Sequence, residues 1–138
     1  MTLVSLASCK KDKDFPTTPV LKNREFKKLS TSTALWRMGF TDGDGDIGVE
    51  NASDTANFIV TIYSIKNGVD SAMDAQNYRI PVVENIRTVK GIEGEIRFDI
   101  DGLDFFKPAK IDSVYYEGYL LDRAGNKSNV LATPKFDV

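Results

Sequence analysis

Ser113-Val114-Tyr115-Tyr116-Glu117-Gly118-Tyr119-Leu120-Leu121 runs directly into Asp122-Arg123-Ala124-Gly125-Asn126, and Ser128 to Ala132 follows. Successive side chains of a strand point to opposite faces. Period two therefore places Val114, Tyr116, Gly118 and Leu120 on one side, with Tyr115, Glu117, Tyr119 and Leu121 on the other. The next five residues are turn formers, because Asp and Asn bond their own backbone and Gly accepts positive φ. A strand, a tight turn and a returning run spell an antiparallel hairpin. A hairpin with one apolar side is stable only against further strands and a second layer.

The same grammar recurs upstream. Thr33 to Phe40 puts Ala34, Trp36, Met38 and Phe40 on one face. Asn57 to Ile65 is rich in β-branched and aromatic residues, divides Phe58, Val60 and Ile62 from Ile59, Thr61 and Tyr63, and ends in the turn Lys66-Asn67-Gly68. Gly94 to Ile100 alternates Ile96, Phe98 and Ile100 with Glu95, Arg97 and Asp99. Val20 to Phe26 and Tyr78 to Val83 are weaker runs, and Pro81 demotes the second to an edge. Asp70 to Asn77 predicts a helical turn, and Asp101 to Lys110 an irregular crossover whose Phe105 and Phe106 close the bottom of the core. About seven strands, with a Trp on an early one, predict an all-β fold: an Ig-like antiparallel sandwich spanning residues 20–138.

Composition sets the limits on function. At 138 residues, 41% hydrophobic and 28% charged, the chain is globular and large enough for one core. A net charge of −2 without a basic stripe argues against a nucleic-acid partner. There is no histidine, hence no catalytic triad and no His-ligated metal. Carboxylates, Lys and Tyr remain, and a carboxylate-based glycan hydrolase needs two acids across a cleft, for which a small domain of short strands has little room. The expectation is a protein that is not an enzyme.

The one cysteine, Cys9, stands in Leu6-Ala7-Ser8-Cys9-Lys10-Lys11. A lone thiol is commonly a small buried hydrophobe. Here it precedes a charged stretch carrying Pro16 and Pro19, a composition that makes a linker rather than a core. Leu-Ala-Ser-Cys resembles the lipobox of bacterial lipoproteins, and the resemblance implies cleavage before Cys9, lipid on Cys9 and a place outside the cytoplasm. Residues 1–8 would then be a signal segment and 9–19 a flexible tether. Met1 to Ser8 carries no Lys or Arg, so the expected basic n-region is missing and the segment reads as truncated. No apolar run approaches the ~18 residues of a spanning helix, so attachment to the membrane would depend on lipid, for which stable anchoring takes more than one chain or signal.

Asp42-Gly43-Asp44-Gly45-Asp46 offers three carboxylates separated by glycines that accept positive φ. Calcium takes six to eight oxygens, and this spacing follows the start of an EF-hand loop. The match then fails, with Ile47 and Ser53 at the positions that need Gly and Glu; what survives is a local chelating turn holding a structural Ca2+. By parity Asp42 continues the face of Trp36 and Phe40, and Asp122 that of Leu120. In an Ig-like sandwich the loops after these strands share one end, so Asp42, Asp44, Asp46 and Asp122 converge, with Glu50, Asp54 and Asn126 as further donors. Two plainer readings stand beside this one. Asp-Gly alternation is ordinary turn chemistry, and Asp122 suits an Asx-turn over Ala124-Gly125-Asn126.

Tyr63, Tyr115 and Tyr119 fall opposite the core face on strands that neighbour in this topology, a possible ligand surface for a glycan or a protein. The plainer reading is cross-strand packing. Asp122-Arg123-Ala124-Gly125-Asn126-Lys127-Ser128 resembles the hairpin near the C-terminus of bacterial Ig-like and fibronectin-III-like domains. Together with Phe40-Thr41-Asp42-Gly43-Asp44-Gly45-Asp46-Ile47-Gly48 and the lipobox, it is similar to a group of small lipoproteins of Gram-negative bacteria. That resemblance implies a sandwich domain lipid-anchored at the outer membrane, periplasmic or surface-exposed, and no activity. The function expected is a non-catalytic binding or assembly module, the alternative a carbohydrate-binding accessory protein or weak glycan hydrolase.

Overall fold

The computed structural model describes residues 15–43, 57–73, 75–78, 84–88 and 91–138, the side chains of 84–88 excepted. Cys9, the signal segment, most of the tether, and Asp44, Asp46, Glu50 and Asp54 lie outside them, as does most of the Tyr78 to Val83 run.

Among the described residues ten strands follow in chain order: β1 Val20–Lys28, β2 Ala34–Asp42, β3 Phe58–Lys66, β4 Val69–Ala72, β5 Gln76–Tyr78, β6 Glu84–Thr88, β7 Gly91–Ile100, β8 Ser113–Leu120, β9 Leu131–Ala132 and β10 Phe136–Asp137. They form two antiparallel sheets, one ordered β1-β2-β7-β6 and the other β10-β8-β3-β4, with β5 beside β3 and β9 beside β8. Renamed by position these are the A-B-E-D and G-F-C-C′ orders of an immunoglobulin-type sandwich, so the all-β, Ig-like expectation holds.

The core lies between the sheets and is built by the alternation noted above. Trp36, Met38, Phe58, Val60, Ile96, Leu103, Val114 and Leu120 are fully buried, each large apolar side chain contributing about 1.5–3 kcal/mol. Trp36 meets Phe58 edge-on at 6.1 Å and Phe98 at 6.4 Å, a ring cluster that bridges both sheets. Gly118, on the inward face of β8, leaves the space that the Phe58 ring fills.

Four expectations are corrected. Asp70 to Asn77 is not a helical turn: its described residues belong to β4 and β5, which pair with the two halves of β3. The return after the hairpin is a strand only at Leu131–Ala132. The hydroxyls of Ser128 and Thr133 accept from the backbone N–H of Leu120 (2.8 Å) and Tyr116 (2.9 Å), while their own N–H groups donate back to the same residues' carbonyls. The crossover after β7 contains a 3-10 helix at Leu103–Phe106. Finally, Phe106 closes the core as expected, but Phe105 is 72% exposed.

Candidate functional site

The outer face of the β10-β8-β3-β4 sheet gathers the three tyrosines. Tyr63 lies directly opposite Tyr115 across β3 and β8, and Tyr119 opposite Ile59 four residues further along. The Tyr63 and Tyr115 rings stack at 4.8 Å with only 5° between their planes. Lys127 places Nζ 4.2 Å above the Tyr119 ring, and Lys135 stands 5.7 Å over Tyr115. The Tyr115 hydroxyl donates to Asp70 Oδ2 at 3.2 Å.

Two of these phenols, Tyr63 and Tyr115, hold their protons more tightly than a free tyrosine. The Glu117 carboxylate beside Tyr63 raises its pKa, and removal from water followed by the bond to Asp70 raises that of Tyr115. The face therefore offers two neutral hydroxyls beside flat rings, with cations at its rim. The opposite outer face differs in kind. There Arg37 donates from Nε to Glu95 Oε1 at 2.6 Å and Arg97 to Asp99 at 3.1 Å. A ladder of ion pairs leaves few unsatisfied groups for a ligand, whereas stacked rings leave large apolar area with polar tips.

The acidic rim is the second candidate. Asp42 ends β2 and is fully buried, with Oδ1 shielded from solvent. Asp122 follows β8, also buried. Both turns lie at one pole: Leu121 donates its N–H to Asn57 O, just ahead of β3, and Asn129 clamps Leu21, whose register partner is Phe40. Asp122 has a local task. Its Oδ1 accepts from the Asn126 N–H at 2.7 Å and its Oδ2 from Asn126 Nδ2 at 2.8 Å, while Gly125 takes φ 88° to close the bend. Asp122 thus holds the bend locally, through Asn126 four residues on rather than through the two-residue bond of an Asx-turn. Among the described residues no group of three or more acidic, His or Cys side chains comes together.

Gly43 plays a part that its motif concealed. It has no left-handed φ; a Cβ there would strike the backbone of Phe15 and Pro16, and its N–H donates to Pro16 O at 2.7 Å. Gly91 approaches the Asp42 carbonyl just as closely. The exit of β2 is therefore gripped on two sides by main chain, which holds Asp42 in a fixed position. The distance in sequence between these partners left no local signal.

No helix among the described residues is long and apolar enough to cross a membrane. Comparison with protein-family models, with curated proteins and with solved structures gives no match.

Proposed function

We propose that the chain is a lipid-anchored, extracytoplasmic binding module whose sandwich domain presents the tyrosine face to a glycan or protein ligand, without catalysis of its own. The observation that carries this reading is the stacked, parallel Tyr63–Tyr115 pair on the outer sheet face that also carries Tyr119. Flat rings with neutral hydroxyls match the apolar faces and hydroxyl edges of sugars, and the same surface suits a protein interface. The charged ladder on the other sheet supports the choice of side.

Glycan-array binding by the purified chain, supplemented by capture of protein partners from intact cells, tests it. Tyr119→Ala and Tyr63→Ala abolish the signal while leaving the melting temperature within a few degrees, because neither ring belongs to the core. Binding that survives both substitutions refutes the proposed face.

Two accessory elements complete the proposal. The LASC motif supports lipid attachment at Cys9 in the outer membrane, on its periplasmic or outer surface; Cys9→Ala then moves the protein from the membrane to the soluble fraction, and retention there contradicts the anchor. The loop after β2 holds a structural Ca2+. Support comes from the oxygen-only ligands of the Asp-Gly loop, of the kind calcium prefers. Asp44 and Asp46 supply the other carboxylates and Asp122 shares the rim.

A further inference from the structure

Bordered by β5 and the segment that follows β7, a cavity of about 470 Å³ opens between the sheets, within the range of roughly 300–1,000 Å³ of small-molecule sites. Its inner surface is apolar, formed by Ile62, Phe98, Ile100 and Tyr116 from three strands of the two sheets. Its walls are aromatic corners. Tyr78 meets Phe98 at 5.0 Å and 73°, and Phe105 meets Phe106 at 5.7 Å and 81°.

Phe105 marks the mouth. The 3-10 helix buries Leu103 and Phe106 but leaves Phe105 72% exposed, so a whole ring stands in water without the gain that burial would bring. No Lys or Arg lines the cavity among the described residues. Asp101 does, and its negative charge reaches inward: after burial, it is a cause of the raised pKa of Tyr78, and it contributes to that of Tyr116. Asp99 also borders the cavity but belongs to the outward face of β7, where Arg97 engages it at 3.1 Å. Asp101 is thus the carboxylate that sets the sign of the pocket.

A carboxylate beside a cluster of aromatic rings suits a large, weakly hydrated cation. A hard metal ion is a poor fit, since it demands six or more oxygens where this cavity offers rings. We propose that the cavity bounded by Tyr78, Phe98, Phe105, Phe106, Tyr116 and Asp101 is a binding site for organic ammonium ions, the methylated ammonium lying against the rings with Asp101 as counter-charge. The site lies between the sheets, separate from the tyrosine face on the outer side of the β10-β8-β3-β4 sheet, and does not depend on it.

Titration of the full chain with choline, followed by backbone amide NMR shifts, tests the assignment against 3,3-dimethylbutan-1-ol, its uncharged carbon isostere. Saturable shifts are expected at Ile100, Gly102 and Phe105, with the isostere binding at least about 10-fold more weakly and both Asp101→Asn and Phe105→Ala weakening choline about 3- to 10-fold. Phe105 is exposed, so its removal leaves the fold intact and a loss of affinity reads on the site alone. Equal affinity for choline and the isostere, shifts confined to Tyr63, Tyr115 and Tyr119, or no saturation at 50-fold excess over about 1 mM protein, well into the range where a weak site fills, each overturns the proposal.

Discussion

Asn129 does with one side chain what an adjacent strand would otherwise do. Its Oδ1 accepts the Leu21 N–H at 2.7 Å and its Nδ2 donates to the Leu21 carbonyl at 2.9 Å, joining β1 of one sheet to the chain that follows β8 in the other. Asn129→Ala leaves both backbone groups of a buried residue unsatisfied, and a loss of about 1–3 kcal/mol in denaturant unfolding is expected; Asn129→Asp, which keeps the acceptor, loses less. Tyr116 gives a second residue-scale test. Burial, then the neighbouring Tyr78 and Asp101, push its phenol up to about 12. The folded state thus holds this proton more tightly than the unfolded chain, whose phenol titrates near 10. The stabilisation is complete below pH 10 and disappears as pH rises from 10 toward 12. Ultraviolet titration should show one of the five tyrosines ionising with unfolding, and Tyr116→Phe should flatten the alkaline loss of stability. Neither Asn129 nor the hydroxyls of Ser128 and Thr133 could be singled out from sequence, because each acts across a separation that carries no periodic signal.

At the scale of elements, β3, β7 and β8 were legible because each has one face in the core and the other toward solvent, and β2 because Trp36, Met38 and Phe40 alternate inward even though Leu35 and Gly39 on its other face are also buried. Failure came where that condition is absent. All four residues of β4 are exposed, so Asp70 to Asn77 showed no period and its polar character resembled a turn. In β1 the register shifts between Asn23 and Glu25; the extra residue moves inward-facing positions from Leu21 to Phe26 and erases the alternation. The β2–β3 loop yields the prediction proper to this scale. If it holds calcium, chelator lowers the melting temperature by the mass-action loss of a ligand bound only to the native state, and Asp44→Ala removes that sensitivity. Identical melting with calcium and with chelator contradicts the site. The expected strand order, not parity, puts the exits of β2 and β8 at one end, and neither carries a signal for the main-chain grip of Phe15, Pro16 and Gly91 on the exit of β2.

Across the whole molecule the two sheets divide the labour. Their inner faces share one aromatic core; their outer faces are opposites, ion pairs on one side and stacked tyrosines on the other. Strand parity together with the expected strand order sorts Tyr63, Tyr115 and Tyr119 onto a common face, since side chains an even number of positions apart on a strand point to the same side. The cations that frame the rings, Lys127 and Lys135, come from the irregular return beyond β8 and could be placed only with the sheet in hand. Calorimetry with the strongest array ligand on the wild-type chain, Tyr63→Ala and Arg97→Ala decides whether this face is where the domain binds. Affinity should fall at least about 10-fold for Tyr63→Ala, as for removal of an aromatic anchor, and stay unchanged for Arg97→Ala on the opposite sheet. Equal affinities for all three proteins, or a loss confined to Arg97→Ala, would contradict binding at this face.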